Sequence, residues 1–178
     1  MPLNDDGLHN VRPAARYHRL TVSWFEATGA GMGEAWKRVV ATGAVDRPNP
    51  RCADRAPERL IEGIRLFNAR EYFECHEVLE DIWRDERDPI RYLYQGILQI
   101  GVGLHHLRNG NFRGATLLLR DGIDKTSRFT PRCMGVDTAT LCSHAQSCLN
   151  QVHVLGRDRL NEFDWSLAPV IEVSGDGL

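Results

Sequence analysis

The chain has 178 residues, of which 42 % are apolar, 8 % aromatic and 26 % charged; this is a globular profile and excludes a disordered or collagen-like chain. With 22 Lys and Arg against 24 Asp and Glu the formal charge is −2, so no overall field draws it to nucleic acid or to an acidic membrane. A chain of this length buries roughly 70 % of its unfolded surface as one unit and needs neither a disulfide scaffold nor a metal to hold a core.

The start, Met1-Pro2-Leu3-Asn4-Asp5-Asp6, has acid where a secretory leader has a basic head and an apolar run. The most apolar window, Ile97 to Leu104, falls short of the ~20 residues that cross a bilayer. A cytoplasmic protein is expected. Five cysteines stand at 52, 75, 133, 142 and 148 without a Cys-x-x-Cys pair. An odd count at irregular spacing predicts reduced thiols and no disulfide framework. His144 and Cys148 share a helix face, but Cys142 and His153 point elsewhere on it. The expectation there is buried cysteines and surface histidines, with no zinc.

Residues 1–54 read as an extension, rich in glycine (Gly29, Gly31, Gly33, Gly43) and ending on Pro48 and Pro50. A short helix is expected over 35–40, with Trp24, Phe25 and Trp36 laid on the main domain. Arg12, Arg16, His18 and Arg19 make a short basic stretch, expected as a solvated arm.

From Pro57 onward the pattern is helical. Pro57 and Glu58 suit a helix start, and Leu60, Ile61, Ile64 and Phe67 recur at helical steps as far as Asn68. A second helix is predicted over 71–84, with Tyr72, Cys75, Leu79 and Ile82 on one face. Asp88-Pro89 starts a third that runs to Arg108 and ends on Asn109-Gly110. Asn111 caps a fourth, stopped near Phe129 by Thr130-Pro131, and Asp137 caps a fifth that ends near Leu155-Gly156. Period-two alternation is missing, so no strands are predicted. The fold class is all-α: an antiparallel bundle or array of about five helices over 55–156, with an irregular tail over 157–178 packing across it. Gly96, Gly101 and Gly103 in the third helix each cost about 1 kcal/mol against alanine, which marks it as the central helix, crossed tightly by a neighbour.

Two groups of side chains invite chemistry. On the second helix, His76-Glu77-x-x-Glu80 differs from the zinc-protease pattern by having Glu80 where the second histidine belongs, and a third ligand is lacking. On the third, Tyr92, Gln95, Gln99, Val102 and His106 form one stripe. Buried amides and imidazoles need partners, and the simplest are His76 and Glu80 of the preceding helix. The constellation has two readings: a satisfied polar network that sets helix register, or a small polar pocket for a metal, an anion or a small molecule, with His76 or His106 as acid or base.

The string Tyr72-Phe73-Glu74-Cys75-His76-Glu77-Val78-Leu79-Glu80-Asp81-Ile82-Trp83, then Tyr94-Gln95-Gly96-Ile97-Leu98-Gln99, then His106-Leu107-x-x-Gly110-Asn111-x-x-Gly114-Ala115, resembles the DUF309 family of small helical proteins over about Leu60 to Phe129. The resemblance implies a compact helical array without an established activity, substrate or cofactor. It singles out His76, Glu77, Glu80, Trp83, Gln95, Gln99, His106 and Asn111 as candidate site residues, beside the small pair Gly114-Ala115. The expected function is a non-enzymatic interaction or structural module built on a buried His/Glu/Gln network, with self-association or a protein partner and neither membrane nor nucleic acid. No catalytic residue, metal ligand or cofactor is assigned. The alternative is a small-ligand or metal-dependent enzyme with its pocket around His76, Glu80, Gln99 and His106.

Overall fold

The computed structural model describes residues 49–174. The expected helix over 35–40, the aromatic anchors Trp24, Phe25 and Trp36, and the basic arm at 12–19 lie outside the described residues. Five helices follow in chain order: α1 Glu58–Asn68, α2 Tyr72–Asp85, α3 Arg91–Arg108, α4 Phe112–Thr126 and α5 Thr138–Leu155. They match the five predicted segments to within about three residues, because the signals at their ends are local. Asp88 Oδ1 accepts from the Ile90 amide at 2.9 Å and opens the turn into α3. Asn111 Oδ1 accepts from Gly114 N at 3.0 Å, and Asp137 Oδ1 from Thr140 N at 2.9 Å, so both predicted caps satisfy an amide left open at a helix start. Gly110 follows α3 with φ +70°, the left-handed conformation that glycine adopts without a Cβ penalty.

The helices pack as consecutive neighbours, α1 on α2, α2 on α3, α3 on α4 and α4 on α5. The central one is α3, in which twelve residues are buried, among them Leu93, Ile97, Ile100 and Leu104. The α3–α4 crossing runs through glycines on both helices. A Cβ on Gly96 would lie 2.9 Å from Thr126 N, and one on Gly122 would lie 2.8 Å from both Gly96 O and Ile100 N. Glycine there is a requirement of close approach.

Two features differ from expectation. A short hairpin is present, with β1 Arg132–Cys133 antiparallel to β2 Val136–Asp137; strands of two residues are too short to show alternation in sequence. The tail extends it, with Val173 bridging Val136 and Ser174 N donating to Gly135 O at 2.9 Å. Asn68 at the end of α1 clamps the backbone of Ile171, accepting at 2.8 Å and donating at 3.0 Å. The second difference is covalent: Cys52 and Cys133 form a disulfide. That overturns the expectation of five reduced thiols. The two residues are 81 apart in sequence, so spacing carried no trace of a pair that the hairpin's packing against the segment before α1 creates. Among the described residues no helix is long and apolar enough to cross a membrane.

Candidate functional site

On α2, His76, Glu80 and Trp83 share one face, because steps of four and three return to the same side of a helix. His76 Nε2 lies 3.8 Å from Glu80 Oε2, and Arg84 Nη2 holds the other oxygen of Glu80 at 3.0 Å. Burial lowers the His76 pKa below its ordinary 6.5, while the carboxylates of Glu80 and Glu77 act in the opposite direction. Glu77 itself is exposed.

Two contacts set the register of α2 against α3. The Arg91 guanidinium lies over the Trp83 ring, 5.0 Å from its centroid. At the other end, a Cβ on Gly101 would stand 3.7 Å from Tyr72 Cδ1. The helices are therefore antiparallel, and at ~1.5 Å rise per residue Glu80 stands level with Gln95 and His76 with Gln99.

Gln95 and Gln99 occupy the flank of α3 between the face that meets α4, at Gly96, Ile100 and Gly103, and the face that meets α2, at Arg91 and Gly101. Gln95 is 0 % exposed and Gln99 2 %. Neither Nε2 nor Oε1 of Gln95 has a hydrogen-bond partner, and Oε1 of Gln99 has none. The satisfied form of the expected network is thus not closed at its glutamines. One turn earlier on α3 stand two guanidinium–aromatic stacks, Arg91 on Trp83 and Arg128 on Tyr92, the latter at 5.8 Å. Arg128 also pairs with Asp124. The Nε of Arg91 is buried without a partner.

His106 lies about 10 Å further along the stripe than Gln99. Because Asn111 Oδ1 accepts from the Gly114 amide, its Nδ2 is left to donate to His106 Nδ1 at 3.0 Å. The neutral ring then carries its proton on Nε2. Gly114 makes room for that ring, since a Cβ there would stand 2.7 Å from His106 Cγ. The imidazole of α3 that feels His76 is His105, whose pKa is lowered by burial first and then by Arg108, His106 and His76, with Glu74 opposing. One residue turns the helix by 100°, which carries His105 to the α2 side and His106 to the α4 side.

His76, Glu80 and Trp83 thus share a face of α2 and Gln95 and Gln99 a buried flank of α3, while His106 and Asn111 belong to the α3–α4 corner. Sequence reasoning does not single out Arg91, His105 or Arg128. The available signal for Arg91 was its place four residues, about one helical turn, before Gln95. Among the described residues no group of three or more His, Cys, Asp or Glu is placed to hold a metal ion. Of the Cys/His cluster on α5, His144 and His153 are exposed. The Cys148 thiol is buried and its pKa pushed up to about 12, and that of Cys142 to about 11.

Residues 60–118 match the family model for the domain of unknown function DUF309. The chain carries a DUF309 domain. The match spans every candidate site residue from His76 to Asn111 and stops within α4, short of the expected Phe129. The hairpin, α5 and the tail, with Arg128 and Cys133, lie beyond it. The chain is 32 % identical over 103 residues to the uncharacterised protein YpuF of Bacillus subtilis (strain 168), an alignment covering 56 % of this chain and 59 % of YpuF. It is 20 % identical over 96 residues to an uncharacterised protein of Aquifex aeolicus (strain VF5), covering 53 % of this chain and 29 % of that one. The alignments thus span less than two thirds of either relative. No solved structure matches.

Proposed function

We propose that the DUF309 domain of this chain binds a small polar molecule in the seam between α2 and α4, over Gln95 and Gln99. One observation carries this reading: Gln95 is wholly buried with both ends of its amide unpartnered. Each buried polar group left without a partner costs about 1–3 kcal/mol. A packed apolar side chain of similar size would avoid that loss, so a glutamine there is explained by a partner that completes it. The side chains above it, His76 and Glu80, are only partly exposed and would screen a bound molecule from water. A structural role fits the other half of the candidate set, because His106, Asn111 and Gly114 close their own hydrogen bonds.

The test combines stability and binding. Gln95→Met keeps the volume and removes the amide, and the expected result is a melting temperature a few degrees higher. In the wild-type chain, the side-chain NH2 resonances of Gln95 and Gln99 should shift saturably with at least one of a panel of small neutral and charged polar probes. A lower melting temperature for Gln95→Met, with both amides unmoved by every probe, would return the seam to a purely structural role.

A further inference from the structure

The chemistry beside the unpartnered amide narrows what the seam takes. Resting on the binding reading above, we infer that its ligand carries an oxyanion, a carboxylate or a phosphate, held side-on by Arg91 while an adjoining polar atom meets the amide of Gln95.

Arg91 is the cation best placed for this. Its guanidinium lies over the indole of Trp83 at 5.0 Å, and stacking of this kind leaves the in-plane N–H groups free of the ring. Its Nε is buried and has no hydrogen-bond partner, and no carboxylate of the described residues lies in ion-pair range of it. Nε with one terminal nitrogen makes the side-on fork that takes two oxygens of a carboxylate or phosphate. Arg91 and Gln95 are four residues apart on one helix, so their Cβ atoms stand roughly 5–6 Å from each other. A small molecule bearing an oxyanion and a neighbouring donor or acceptor spans that gap. The carboxylate on the Trp83 face of α2, Glu80, is already held by Arg84 at 3.0 Å, which reduces its repulsion of an incoming anion. Arg128, stacked on Tyr92 and paired with Asp124, adds a second guanidinium at the same end of α3.

The experiment follows the Nε–H resonance of Arg91 and the NH2 resonances of Gln95 while the full chain is titrated with sodium phosphate, sodium malonate, sodium chloride or acetamide at matched ionic strength. Saturable shifts of both groups are expected with phosphate or malonate and not with chloride; whichever acts more strongly separates the two oxyanion sources. Arg91→Lys keeps the charge and loses the fork, and should weaken that binding roughly tenfold to a hundredfold, with circular dichroism confirming the fold. Shifts by acetamide alone would overturn the oxyanion assignment and leave the binding reading standing. Shifts with chloride equal to those with phosphate, or unaltered affinity in Arg91→Lys, would overturn it as well. Silence of Gln95 toward every probe would remove both.

Discussion

Burial lowers the pKa of His76, His105 and His106 alike, and in each it is the largest cause. The sign for stability follows. In the unfolded chain these rings take up a proton near their ordinary 6.5, and in the folded chain only at lower pH. Below 6.5 the unfolded state therefore binds more protons, so stability present above that pH is lost on acidification. The melting temperature is expected to fall between about pH 7.5 and about pH 5.5, before the depressed carboxylates titrate. Replacing His106 by Asn should flatten part of that fall, and an unchanged slope would show that the ring is not held neutral. The identities of these rings were visible in sequence. What each one touches was not: adjacent residues on a helix diverge by 100°, and only packing shows that His105 turns to α2 while His106 meets Asn111.

At the scale of elements, the crossing of α3 and α4 rests on Gly96, Gly103 and Gly122. Two effects oppose each other in Gly122→Ala. Helix propensity favours alanine by roughly 1 kcal/mol. Against it, the new Cβ would meet Gly96 O and Ile100 N at 2.8 Å, and backbone atoms cannot rotate away as a side-chain end can. Overpacking costs about 1–3 kcal/mol, so the net effect is a lower melting temperature, read by thermal unfolding; a stabilised variant would mean that the helices separate there without penalty. The close approach was legible from the three glycines of α3. Its partner residues were not, because spacing within one helix does not say which neighbour supplies the facing surface. The hairpin escaped notice for a similar reason, being too short to establish a period.

For the whole molecule, the Cys52–Cys133 bond is a covalent link between residues 81 apart. It joins the segment before α1 to the hairpin, where Met134 N also donates to Cys52 O at 2.8 Å. Arg51 pairs with Glu86 at 2.7 Å and Asn49 Nδ2 donates to Asp88 at 3.1 Å, so the same segment is tied to the α2–α3 turn. Unfolded without reductant, the chain should titrate as three free thiols, Cys75, Cys142 and Cys148, and as five after reduction. Cys52→Ser should lower stability on the order of 2–5 kcal/mol, since the link restricts the unfolded chain. Protein trapped with an alkylating agent at lysis that shows five reactive thiols would place the bond outside the cellular state and restore the expectation drawn from cysteine count.

Helix boundaries, caps and the polar stripe of α3 were determined by the sequence alone, because an amide at a helix start is satisfied by a side chain two or three residues away, and periodicity is read within one element. Tertiary structure alone decided that Gln95 lacks partners, that Arg91 stacks on Trp83, that His105 and not His106 faces α2, and that two cysteines 81 residues apart are joined. Those outcomes depend on the rotation and register of one helix against another. Both are set by the fit of whole faces, and no short stretch of chain encodes them.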